Sequence, residues 1–142
     1  MVMHRVRFEV LGNPVPKARA RTVRKGGRTW SFTPKKVSEW EDKIRSKAKE
    51  HFEHPYSSPV CLSLTFHMKR PESRVGETYV HTTPDLDNLE KAILDGLNEV
   101  AYEDDRLVVV KISQKIYVRQ GKPRVTIVVI NLDRQSTMDN FF

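Results

Sequence analysis

Residues 83–105 read TPDLDNLEKAILDGLNEVAYEDD. Leu89, Ile93 and Leu97 recur at helical spacing, helped by Leu94 and Val100, so a helix with one buried stripe is expected over Asp87–Val100. Asp87, Lys91 and Asp95 follow at i, i+4 and i+8 along a different face. Asp85 and Asp87 can converge on one point only where the chain is extended or turning, which Pro84 favours. Asp104 and Asp105 are expected to return to this same place, since the short Ala101-Tyr102-Glu103 link after the helix leads back toward the sheet.

Strand patterns flank this unit. Val6, Phe8 and Val10 alternate with Arg5, Arg7 and Glu9 in a half-buried strand that Gly12-Asn13-Pro14 ends. Val60 to Met68 alternates as a second strand. Arg106–Val118 and Arg124–Leu132 read as two more, expected to pair through a turn at Gln120-Gly121-Lys122. Thr33-Pro34 opens another helix, with Thr33 as N-cap and Val37, Trp40, Ile44, Ala48 and Phe52 on one face. Lys69–Thr83 is polar and reads as a long loop. The expected fold is α+β (mixed α/β): one domain over residues 1–133, with a small mixed sheet of about four strands and two main helices packed on it. A tail follows at 134–142.

Composition narrows the class. A chain of 142 residues suits a single domain. Its net charge of +7 fits a protein that meets phosphate backbones, though many small basic domains bind none. Cys61 is the only cysteine, so neither an internal disulfide nor a cysteine zinc site can form, and its strand context points to a buried thiol. His51 and His54 form a lone HxxH with no further ligand spacing. No apolar leader follows Met1 and no apolar run is long enough to span a bilayer, so a reducing, cytoplasmic setting without membrane contact is expected.

The cations are concentrated. Between Gly12 and Lys36 stand Lys17, Arg19, Arg21, Arg24, Lys25, Arg28, Lys35 and Lys36, without one acid. This 12–36 segment is read as a DNA-binding surface whose grip weakens with salt. Gly26-Gly27 marks a turn or tip within it. Trp30 or Phe32 either stacks on an exposed base or anchors the segment to the core.

Carboxylates gathered on a basic protein could hold a hard cation such as Mg²⁺ beside a phosphodiester, with Lys91 as a fixed positive charge. Each acid also has a plainer reading. Asp87 with Glu90 could form a capping box, or Asp85 could be the cap. Lys91 could pair with Asp87 or Asp95 on the surface. Asp104 and Asp105 could mark a turn.

Pro84-Asp85-Leu86-Asp87-Asn88-Leu89, then Lys91, Asp95 and the pair Asp104-Asp105 before an apolar strand resembles the RusA family of Holliday junction resolvases. The resemblance is strongest from Asp85 to Val109 and extends loosely to Gly12-Asn13-Pro14 and Phe32-Thr33-Pro34. It implies a homodimeric Mg²⁺-dependent endonuclease, with Mn²⁺ as a substitute, that cuts four-way DNA junctions. It places the metal-binding catalytic acids at Asp85, Asp87 and Asp105, with Asp104 as a neighbouring ligand candidate, and the essential lysine at Lys91. Asn88 and Asp95 take supporting roles. The loop Lys69–Thr83 departs from the family pattern. A non-catalytic branched-DNA-binding module and a metal-dependent nuclease for flaps or RNA stand as alternatives.

The tail ends Gln135-Ser136-Thr137-Met138-Asp139-Asn140-Phe141-Phe142. Gln135, Met138, Phe141 and Phe142 resemble the anchors of a PCNA-interacting peptide, in which an aliphatic and two aromatics share one face of a short helical turn. That resemblance implies recruitment to a PCNA-type sliding clamp, and with it an archaeal, viral or proviral origin for a nucleoid-associated protein.

Overall fold

The most apolar strand takes the centre of the sheet. The computed structural model describes residues 4–18 and 21–132, with 21–24 and 29–32 described by their backbone alone. Its strands are β1 (His4–Leu11), β2 (Arg21–Lys25), β3 (Arg28–Phe32), β4 (Val60–Met68), β5 (Val108–Tyr117) and β6 (Arg124–Asn131). The main sheet has the order β1-β6-β4-β5, and β2 with β3 forms a separate two-stranded sheet. In β4, Val60, Leu62, Leu64 and Phe66 line the core, and Cys61 on the other face is also buried. Phe8 and Val10 of β1 and Val125, Ile127 and Val129 of β6 complete the inner face. The helices α1 (Lys35–Lys49) and α2 (Leu86–Leu97) bring Val37, Trp40, Ile44, Ala48, Leu89, Ile93 and Leu97 to the same core, giving the expected α+β fold. Among the described residues no helix is long and apolar enough to cross a membrane.

The expected pairing of the last two strands is corrected. β6 pairs antiparallel with both β1 and β4, while β5 pairs parallel with β4, so β4 lies between β5 and β6. Two physical reasons favour this order. A strand, a helix and a second strand in succession, here β4-α2-β5, form a crossover unit that sets two strands parallel. β5 is also largely exposed and suits the edge, whereas β4 is buried along most of its length. The Gln120-Gly121-Lys122 turn therefore crosses the end of β4, where the Val118 N–H donates to Met68 O at 2.9 Å.

Other boundaries shift by local chemistry. Pro34 occupies the N-cap of α1, and Asp85 that of α2. α2 stops at Leu97, and the chain turns at Glu99, whose φ is 69°. A 3₁₀ turn over Asp105–Leu107 precedes β5, which begins two residues later than expected. The basic segment holds the β2–β3 hairpin, joined through Gly26-Gly27 with φ of 58° and 76°. The 69–83 loop is tied to β5, where Tyr117 N–H donates to Thr78 O at 2.9 Å and Val80 is buried.

The two helices touch closely at Gly96. A Cβ there would stand 3.0 Å from Ile44 Cγ2 and 3.3 Å from Glu41 O, so any side chain would press α2 against α1.

Candidate active site

The head of α2 is held by β5. Lys115 Nζ donates to Thr82 O and Pro84 O, both at 2.8 Å, and this fixes the turn from which Asp85 enters the helix. The Thr83–Pro84 peptide in that turn is cis. Asp85 sits at the N-cap in extended backbone, and its side chain makes no cap hydrogen bond. Of the two plainer readings, Asp85 takes the N-cap position and the Asp87–Glu90 capping box does not form. Asp87 Oδ1 accepts from Asn88 N–H at 3.0 Å, while Glu90 turns inward, accepts from Ser113 Oγ and pairs with Lys111 Nζ at 3.2 Å. Asp85, Asp87 and Lys91 are exposed. Lys91 forms no ion pair among the described residues, so the surface pair with Asp87 or Asp95 is absent.

The second acidic group lies elsewhere along α2. Asp104 caps the 3₁₀ turn, its Oδ1 accepting from Arg106 N–H at 2.9 Å, which gives the turn reading of this pair a structural basis. Partial burial, then the hydrogen bond and charge of Asp104 and the charge of Asp95, raise the Asp105 carboxyl above its ordinary pKa. Beneath it Tyr102 is buried and donates to Leu94 O at 2.8 Å. Burial, followed by the charges of Asp105 and Asp95, raises that phenol as well. Leu94, Asp105, Val108, Val109 and Lys111 line a hollow of about 170 Å³.

α2 and β5 run in opposite senses, because Pro84 meets Lys115, Glu90 meets Lys111 and Ser113, and Leu94 stands by Asp105. Asp105 therefore lies beside the C-terminal half of α2, and Asp85 and Asp87 at its head. Eight residues from Asp87 to Asp95 span about 12 Å of helix at 1.5 Å per residue. Among the described residues no three His, Cys, Asp or Glu side chains stand together as a metal-holding group. The donor chemistry nevertheless fits a hard cation: the sites offer carboxylate oxygens, and positive charge would offset the burial and the neighbouring carboxylates that raise Asp105.

The sequence model of endodeoxyribonuclease RusA matches residues 12–130, which contain both acidic groups, the basic hairpin, both helices and three of the four strands of the main sheet, β1 lying before the match. The chain belongs to the RusA endodeoxyribonuclease family. It is also similar to YqaN, an uncharacterized protein of Bacillus subtilis strain 168, with 27% identity over 136 residues, 87% of this chain and 94% of that protein.

In this RusA-family chain the basic segment divides. Lys17 Nζ donates to Glu41 Oε2 at 2.9 Å and to Asp95 Oδ2 at 2.7 Å, and its backbone N–H donates to Asn88 O at 2.9 Å. Burial pulls its pKa down, but the hydrogen bonds and charges of Asp95 and Glu41 outweigh that, and the net shift is upward. Its ammonium is thus engaged inside the fold, which changes its expected part as a phosphate contact. Lys25 and Arg28 flank the hairpin turn and are exposed. Lys35 and Lys36 are exposed on the first turn of α1, with Lys35 near Glu39 at 3.8 Å. Arg21 and Arg24 lie on β2, where only the backbone is described. Arg19 and the tail residues Gln135, Met138, Phe141 and Phe142 lie outside the described residues.

Two features escaped sequence reasoning. The Lys17–Glu41–Asp95 cluster joins residues far apart in the chain and leaves no local signal. The Lys111-Ser113-Lys115 row did leave one: alternate polar residues in a strand face one side, and here that side meets α2.

Proposed function

We propose that this protein is a divalent-metal-dependent endonuclease that resolves four-way DNA junctions by paired symmetric nicks, acting as a homodimer in recombination and repair. The observation that carries the reading is the motif Asp85-Leu86-Asp87-Asn88…Lys91 at the head of α2, on exposed side chains, inside the family match. Asp85, Asp87 and Asp105 would hold Mg²⁺ or Mn²⁺, with Asp104 beside them. When bound, the metal supplies Lewis acidity and a more acidic water at the phosphate. Lys91, one turn after Asp87 and without an ion-pair partner among the described residues, offers a fixed charge to the phosphoryl oxygens. Lys115 holds the turn that orients Asp85, and the hairpin cations Lys25 and Arg28 meet the DNA backbone.

The dimer has support in the separation of the acids. With Asp85 and Asp87 at one end of α2 and Asp105 at the other, one chain does not bring all three to one ion. Two copies related by a two-fold axis can present the head of one α2 to the Asp105 of the other, and a four-way junction itself offers two equivalent strands.

The test uses a labelled synthetic four-way junction beside a matched linear duplex, with and without Mg²⁺. Paired symmetric nicks that require Mg²⁺ are expected from the wild type, and junction binding without nicks from Asp87→Asn. Tight binding with no cutting under any divalent ion would instead identify a branched-DNA-binding module; preference for a flap or RNA would identify a different nuclease.

We also infer that the tail docks on a PCNA-type clamp through Gln135, Met138, Phe141 and Phe142, on the support of their spacing alone. A peptide of residues 134–142 should bind such a clamp and lose binding with Phe141→Ala and Phe142→Ala. No binding by the unaltered peptide would end this part of the reading.

A further inference from the structure

A second basic surface lies outside the 12–36 segment. Lys43 of α1, Lys69 just after β4 and Lys122 just before β6 line one hollow of about 530 Å³ together with Leu11, Gly12, Asn13 and Pro123. All three lysines are exposed and none has an ion-pair partner among the described residues. No carboxylate lines this hollow. A second hollow that Lys43 also lines holds Glu9 and Glu50 beside Lys47, so the carboxylates near Lys43 line that hollow and not the one shared with Lys69 and Lys122.

The floor is built for open space. Gly12 has a φ of 132°, and a Cβ there would stand 3.1 Å from both Lys43 Nζ and Trp40 Cζ3. Its N–H donates to Pro123 O at 2.9 Å, which fixes the β1 end against the 118–123 crossing. Any larger residue would enter the hollow and push Lys43 aside.

Strand register locates the hollow relative to the acids. Leu11 pairs with Arg124, His67 pairs with Arg124, and Met68 pairs with Tyr117, so Lys69 and Lys122 stand at that end of the sheet. Lys115, which pairs with Phe66, holds Pro84 at the same end. Asp85 and Asp87 therefore share a sheet end with the three lysines.

We infer that Lys43, Lys69 and Lys122 form a seat for the phosphodiester backbone of a DNA arm that runs on from the strand at the head of α2. Lysines are compact point charges suited to phosphate, and they outnumber the single other polar side chain that lines the hollow, the amide of Asn13. The inference rests on the junction-nuclease reading for the identity of the DNA, while the seat itself requires only a phosphate backbone.

The test is equilibrium binding of a four-way junction and of a linear duplex in EDTA, across a salt series, where cutting plays no part. Lys43→Gln, Lys69→Gln and Lys122→Gln are combined; the control combines Lys47→Gln with Lys49→Gln on α1. The triple variant should lose about tenfold or more in affinity, and its log–log salt slope should become shallower by about 2 to 3, since each phosphate contact contributes about 0.9. Its melting temperature should match the wild type. An unchanged slope, or a loss per charge equal to that of the control, overturns the seat. So does inorganic phosphate that perturbs the three lysines when their removal leaves DNA binding intact. If the wild type never cuts but the triple variant still loses its slope, the nuclease reading fails and the seat stands. Cutting by the wild type with no change in slope fails the seat alone.

Discussion

Lys17 stands in a run of cations, yet its ammonium bridges two helices. Its side chain is 15% exposed and that of Glu41 11%, so replacing Lys17 with methionine would leave Glu41 charged and enclosed. Lys17→Met should lower stability by about 1–3 kcal/mol, less than a fully buried pair because Asp95 retains contact with water. Thermal unfolding would show this as a fall of several degrees, and Lys17→Arg should recover part of it. The bridge also has a pH signature. The folded pKa of Lys17 is raised above 10.5, so its stabilisation is complete below that value and is lost as pH climbs through the folded pKa. The run of cations was legible in the sequence, but this partnership was not, because Glu41 and Asp95 lie 24 and 78 residues away.

His67 behaves in the opposite sense. On the sheet face away from the helices its Nε2 shares a 3.0 Å hydrogen bond with Thr126 Oγ1, beside Arg124, Arg7 and Glu9. Burial, then the charge of Arg124, lowers its pKa, with Arg7 adding to the shift and Glu9 opposing it. The unfolded chain then binds the proton more readily, so stability is full above pH 6.5 and declines as pH falls below that value toward the folded pKa. Denaturant titrations across this range should show the decline in the wild type, and His67→Gln should flatten it. An equal decline in His67→Gln would assign the effect to other groups.

At the scale of elements, the helix contact at Gly96 is the most sensitive seam. The Cβ of Gly96→Ala would press on Ile44 and on the Glu41 carbonyl, the latter being backbone that cannot rotate away. Helix propensity favours alanine by about 1 kcal/mol, but overpacking costs about 1–3 kcal/mol, so a net loss is expected. Gly96→Leu should cost more, and chemical denaturation would rank the two. A gain with alanine would mean that α1 yields freely. Both helices were legible from their apolar spacing because each has one buried stripe. The existence of β1, β4, β5 and β6 was legible from their alternation in the same way. Strand order was not: the patterns of β5 and β6 are compatible with a hairpin, and only competition for the buried centre, which β4 wins, excludes it. The β2–β3 hairpin was hidden because its strands are five residues each and crowded with cations, so only the Gly26-Gly27 turn between them could be read.

For the whole molecule the decisive question is whether one chain or two complete the acidic site. The motif residues could be read from the sequence, but their separation could not, since it follows from α2 running against β5. If the head of one α2 meets Asp105 of the partner, Asp87→Asn and Asp105→Asn should each be inactive alone and yet complement each other. In a mixed dimer one composite site carries both defects, and the other carries neither. Co-expression of the two variants with different tags, followed by isolation of mixed dimers, should therefore restore nicking of one strand while paired nicks stay rare. In an equal mixture left to exchange, half of the dimers are mixed and one site in each is intact, so about a quarter of wild-type nicking should return. A site completed within one chain gives the opposite result, because each chain of the mixed dimer then has its own defect and the mixture stays silent. Activity in Asp105→Asn alone would remove Asp105 from the metal-binding set, and a monomer in sedimentation that still cuts would remove the need for the partner.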